Sequence, residues 1–207
     1  MLSGIRIPGD PHLRRWMLFV DGENFTMRAQ DLASQHQLVL SEGAHFQRDI
    51  FVWLPGIKPT VAMVNNEETP LQVQRHAIRA HYYTSVCGDD QKIASVRLAL
   101  WSLGFHAEVF KRTRKDEKAK GVDIALTKDL LAHAYLDNFD VAVLFTGDGD
   151  FVPVVQEVKR RGKVVYVCAF AKHGLSQQLR LESDMFFDIE ELFITQWAVP
   201  KGGEGIA

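Results

Sequence analysis

Short apolar runs alternate along the chain with segments whose apolar positions recur at helical spacing, and this alternation predicts the fold. "WMLFV" (16–20), "RAHYYTSV" (79–86), "FHAEVFKR" (105–112), "VAVLF" (141–145) and "KVVYVCAF" (163–170) have the length and the β-branched or aromatic content of strands. The unbroken runs at 16–20 and 141–145 suit strands buried on both faces, as in a parallel sheet. Between them, "NFTMRAQDLASQH" carries Phe25, Met27, Ala29 and Leu32 as a moderate helical stripe, and "QKIASVRLALWSLG" reads as a helix stopped by Gly104. "VDIALTKDLLAHAYL" repeats Ile124, Leu126, Leu130, Leu131 and Ala134, and "FVPVVQEVKRRG" closes at Gly162. Pro153 fits there, because first-turn amides have no intrahelical partner to lose. "SQQLRLESDMFFDIEEL" predicts one or two short helical pieces or a final short strand. The whole is an α/β fold with a mainly parallel sheet.

The pattern implies a single domain over 16–197, with a flexible segment at 1–15 and a disordered tail at 198–207. Residues 41–76 interrupt it, mixing aromatic and β-branched residues with prolines and an Asn-Asn turn signal. That stretch reads as an insertion, and its apolar content suits a homodimer contact as well as a lid.

Composition narrows the class. Of 207 residues, 46% are hydrophobic and 24% charged, and no apolar run approaches the length of a membrane span. The first fifteen residues lack a signal-peptide core, so a cytoplasmic protein is expected. Cys87 and Cys168 are too few for a disulfide framework or a cysteine metal site and read as reduced and structural. The eight histidines form no H-x-x-x-H pair, which argues against zinc. Net charge is −2, so a polyanion would have to be met locally. "KRTRKDEKAK" (111–120) is the local candidate, its alternative being a solvated loop.

In open α/β sheets, ligands bind beyond the carboxyl ends of the strands. Three chain segments deliver carboxylates there: Asp21 after "MLFV", Asp148 and Asp150 after "VLFTG", and Asp123 opening a helix. Each has a plain alternative: a turn for Asp21, a first-turn dipole contact for Asp123, a helix cap for Asp150. Together they would repel unless some are protonated or a cation is bound, and magnesium or manganese suits an all-oxygen donor set. Gly147 and Gly149 would let the loop bend and a phosphate approach the backbone. Lys120 and Thr146 are candidate phosphate contacts, as are Lys111 and Arg112 in the basic loop. Glu23 adjoins the site in sequence, whereas Asp129, at i+6 from Asp123, points elsewhere. Tyr82 and Tyr83 could stack bases, although in a strand one faces the core and the other a helix.

"FVDGENF", "KGVDIALTKDLL" (120–131) and "FTGDGDFVPVVQEVKRRGKVVYV" (145–167), in this order, resemble the NYN domain family, a branch of the PIN-like nucleases, and within it the LabA-like members. The resemblance implies a PIN-like α/β/α sandwich and metal-dependent hydrolysis of RNA phosphodiesters, with single-stranded RNA as the expected partner. It carries Asp21, Asn24, Asp123, Asp148 and Asp150 over as catalytic residues. Asp21, Asp123, Asp148 and Asp150 would hold one or two Mg2+ or Mn2+ ions, and Asn24 would orient a water or a phosphate. Two other classes compete: an RNA- or nucleotide-binding regulatory module without turnover, and a haloacid-dehalogenase-like phosphatase, which "DGE" at 21–23 fits only loosely.

Overall fold

The computed structural model describes residues 13–54, 76–112 and 121–197. The tail at 198–207, nearly all of the segment at 1–15, residues 55–75 and Lys120 lie outside the described residues. Strand β1 (Trp16–Asp21) leads into α1 (Gly22–Gln35), followed by the two-residue strands β2 (Phe46–Gln47) and β3 (Phe51–Val52). Then come β4 (Ala80–Cys87), α2 (Asp90–Ser102), β5 (His106–Arg112), α3 (Val122–Tyr135) and β6 (Val141–Phe145). A 3-10 turn (Gly149–Phe151) precedes α4 (Val152–Arg160), β7 (Val164–Ala169), α5 (Gln177–Glu182), β8 (Met185–Asp188) and α6 (Glu190–Trp197). The closing stretch, read as helical pieces or a strand, is both: α5, β8 and α6.

Six strands form one sheet in the order β5-β4-β1-β6-β7-β8, every pair parallel. The chain builds outward from β1 to β5, then returns to start again at β6 on the other side of β1. Strand order therefore reverses between β1 and β6, and a crevice opens at their carboxyl ends. Side-chain alternation divides the core into two layers. Trp16, Leu18 and Val20 pack with α1, α2 and α6, whereas Met17 and Phe19 pack with α3, α4 and α5. At the opposite end of the sheet, Arg15 pins the β1–β6 register by forking onto Asp140, Nη2 to Oδ1 at 2.9 Å and Nε to Oδ2 at 3.2 Å.

Two helical stripes differ from the sequence reading. In α1 the buried apolar face is Phe25, Ala29, Leu32 and Ala33, with Met27 turned out; in α3 it is Val122, Ala125, Leu126, Leu130 and Ala134, with Ile124 exposed. Within 41–76, Phe51, Val52, Trp53 and Leu54 are fully buried, whereas residues 41–44 are exposed. The Trp53 ring meets Phe25, Phe105 and Phe145 edge-on or tilted, and the Tyr82 hydroxyl bonds to the backbone N and O of Val52. Among the described residues, no helix is long and apolar enough to cross a membrane.

Candidate functional site at the sheet's switch point

Asp21 is the last residue of β1 and shares the side-chain parity of Met17 and Phe19, so it faces the α3 and α4 layer. Val20 pairs with Phe145, which brings Thr146 abreast of Asp21. The two side chains meet: Thr146 Oγ1 donates to Asp21 Oδ2 at 2.9 Å, and both residues are 2% exposed. Asp21 also caps α1, its Oδ1 accepting from the Asn24 amide at 3.1 Å. Asn24 turns its own Oδ1 across to the Gly147 amide, 3.1 Å away. The Asp148 amide donates to Thr146 Oγ1 at 3.1 Å. One continuous network thus joins the end of β1, the start of α1 and the loop after β6.

Burial pushes the Asp21 carboxyl up to about 7. The bonds from Asn24 and Thr146 pull it down, and the nearby negative charges of Asp123 and Asp148 raise it further. Asp123 and Asp148 thus both stand near enough to Asp21 for their charges to act on it. Asp123 reaches the rim from the first turn of α3, where Gly121, at φ +128, supplies the cap position without a side chain. Asp150 is exposed and is not among the charges acting on Asp21.

The duties of the two GDGD aspartates differ from the expectation. Asp148 does the capping: its Oδ1 accepts from the Asp150 amide at 3.0 Å and closes the 3-10 turn. Helix α4 begins at Val152, with Phe151 at its N-cap position and no side-chain cap. The glycines also serve a different end. A β-carbon at Gly147 would lie 2.9 Å from the Gly174 carbonyl oxygen, and one at Gly149 would lie 2.8 Å from Ser176 Oγ. The Ser176 amide donates to the Gly147 carbonyl at 2.8 Å. These glycines admit the segment after β7, so that residues 173–176 press onto the acidic loop; sequence reasoning missed that segment.

The remaining candidates scatter. Glu23 accepts a hydrogen bond from Ser85 Oγ on β4. Asp129 accepts from the Tyr83 hydroxyl at 3.0 Å, tying α3 to β4. Tyr82 and Tyr83 are fully buried on opposite faces of the sheet, so neither can stack a base. Lys111 is exposed, while Arg112 Nη2 donates to the Asp49 carbonyl at 2.9 Å and fastens the end of β5 to the β2–β3 hairpin. Cys168 is buried and Cys87 exposed.

The donors suit a hard divalent ion: oxygens alone, one of them a carboxylate withdrawn from water with two acidic neighbours. Among the described residues, no group of three or more His, Cys, Asp or Glu stands close enough to hold an ion unaided. An ion here would be held by one or two of these carboxylates, with water or substrate phosphate completing its shell, as magnesium commonly is.

Residues 15–190 match the model of the NYN domain. The chain belongs to the NYN domain family. Its fold is therefore that of the PIN-like nucleases, a parallel sheet between helical layers, and nucleic acid is the substrate class that this fold suggests. A crystal structure of a protein of unknown function from Vibrio parahaemolyticus is similar, with a TM-score of 0.56 at 22% identity over 87% of this chain and 96% of that one. At that identity the likeness speaks for the fold alone. No curated protein matches the chain.

Proposed function

We propose that this NYN domain is a Mg2+- or Mn2+-dependent ribonuclease of the LabA-like branch, hydrolysing phosphodiester bonds of single-stranded RNA in the crevice between β1 and β6. The observation that carries the reading is Asp21, a carboxylate buried at the switch point, raised to about 7 and surrounded by further acidic side chains. A protein gains no stability from crowding carboxylates there; a bound cation would resolve the repulsion.

One or two of Asp21, Asp123 and Asp148 would hold the ion, with water or substrate phosphate completing its shell and exposed Asp150 at the entrance. A divalent ion so placed would lower the pKa of an attacking water and neutralise charge on the phosphate. The chain's own groups do the positioning. Thr146 and the Asn24 amide fix both oxygens of Asp21. Asn24, anchored through its carbonyl oxygen to Gly147, leaves its amide NH2 to donate to a phosphate or a water. Lys111 and Arg112, with Lys120, would supply positive charge along the strand's path.

The test is incubation of the protein with labelled single-stranded RNA and manganese or magnesium, beside an Asp148→Asn variant. Cleavage that requires the metal and is lost in the variant supports the reading. Cleavage that survives both chelator and substitution overturns the metal-carboxylate mechanism, and RNA binding without any cleavage points instead to a regulatory binding module.

A further inference from the structure

Arg28 stands one helical turn beyond Asn24 on the same face of α1. With Asn24, Thr146, Gly147 and His173 it lines a narrow cleft beside the acidic rim. Its guanidinium is held in an unusual way. A β-carbon at Gly174 would collide with Cζ, Nε and Nη2 together, Cζ no farther from it than the nitrogens. Gly174 therefore lies over the plane of the guanidinium rather than at its edge, and its φ of +76° is the backbone conformation that glycine tolerates best.

The cation so clamped is poorly satisfied. Its Nε is buried with no hydrogen-bond partner among the described residues. Its ion pair with Asp31 is long, 3.7 Å, and Asp31 is half exposed, so that pair contributes little. About a third of the Arg28 side chain still reaches solvent. A planar, permanently charged fork with a buried donor unmet, opening beside a crevice of carboxylates, is suited to an oxyanion from outside.

We propose that Arg28 is a phosphate-binding residue of this domain: its guanidinium, lying flat beneath Gly174, takes the RNA phosphate next to the one at the Asp21 and Asp148 rim, with a phosphoryl oxygen entering the cleft toward Nε. The subsite rests on the ribonuclease reading given above. It supplies positive charge beside the acidic rim and places the strand along α1, toward the segment 173–176. His173 lines the same cleft and would flank that phosphate.

The test is RNA binding, not turnover. A short fluorescently labelled single-stranded RNA is titrated in chelator, over a salt series, with wild type, Arg28→Met and Arg28→Lys, each first shown to be folded by its thermal transition. Arg28→Met is expected to bind about tenfold more weakly and to lose about 0.7 from the slope of log affinity against log salt, the signature of one phosphate contact on a single strand. Arg28→Lys should recover the slope and only part of the affinity, since an ammonium keeps the charge without the fork. Unchanged affinity and slope in Arg28→Met, while wild type binds, overturns the subsite and leaves the ribonuclease reading standing. If Arg28→Met does not fold, the lysine variant decides: wild-type affinity there overturns the fork. RNA neither bound nor cut by wild type overturns both readings.

Discussion

The Thr146 hydroxyl donates to Asp21 Oδ2 at 2.9 Å and accepts from the Asp148 amide at 3.1 Å, so one buried oxygen joins two of the acidic residues. Thr146→Val keeps the shape and removes the bridge. The Asp148 amide loses its acceptor and the Asp21 carboxylate loses a donor that favours its charged form. A stability loss of about 1–2 kcal/mol is expected, larger at pH 8, where Asp21 is ionised, than at pH 5. Urea denaturation at the two pH values measures it; equal losses would mean that the hydroxyl does not serve the carboxylate.

Asp21 itself should oppose stability once ionised. Its pKa in the fold, about 7, lies above the ordinary aspartate value of 3.8, so its favourable contribution is complete below about pH 4 and is lost as pH rises through 7. Asp21→Asn removes that loss while leaving an acceptor for the Asn24 amide. In chelator at pH 8 the variant should melt at or above the wild-type temperature, yet with manganese restored it should cut no RNA. A large drop in melting temperature would show that the carboxylate is structural.

The two GDGD aspartates should separate by function. Asp148→Asn retains a side chain able to cap the 3-10 turn, so it should fold as wild type does while losing activity by about a hundredfold or more. Asp150→Asn caps nothing and lies in solvent, so both stability and activity should change less. Steady-state cleavage rates of the two variants, compared at matched manganese, check the order; a more damaging Asp150→Asn would reverse the assignment.

A second pH effect belongs to His81, far from the acidic rim in character. Its ring stacks between Phe19 and Tyr83 at 5.5 and 6.0 Å. Burial foremost, with the charges of His133, His106 and Arg79, lowers it to about 4 against the pull of Asp129. A histidine depressed in the fold binds its proton more readily when unfolded, so stability should fall from about pH 6.5 toward pH 4. His81→Phe fills the same slot without a proton site. The difference in urea midpoint between pH 7 and pH 5 should shrink in this variant; an unchanged difference would place the acid sensitivity elsewhere.

The sheet and its helices were legible in the sequence because they follow from strand length and apolar spacing, and the place of Asp21 at the end of β1 because it follows from strand ends and parity. Ile124 and Met27 were misplaced because several helical stripes fit the same residues, and only the packed sheet selects one. The exchange of capping duty between Asp148 and Asp150 was hidden by a 3-10 turn, which shifts where the helix begins. Arg28 gave no signal by itself. Its meaning depends on Gly174, distant in sequence, lying across its guanidinium. The histidine cluster was invisible for the same reason: His81, His106 and His133 belong to three different elements.

The pairing of β1 with β6 also determines when the candidate site comes into being. As the chain is made, Asp21 emerges well before β6, the strand that completes its surroundings and that starts only at Val141. The sheet order requires that newcomer to insert next to the oldest strand, opposite β4. A nascent or truncated chain ending before that point would carry Asp21, Asn24 and Asp123 but neither the buried network nor Asp148. If the domain is the ribonuclease proposed above, such an order of assembly would delay any cutting of the RNA around the ribosome until the domain is whole.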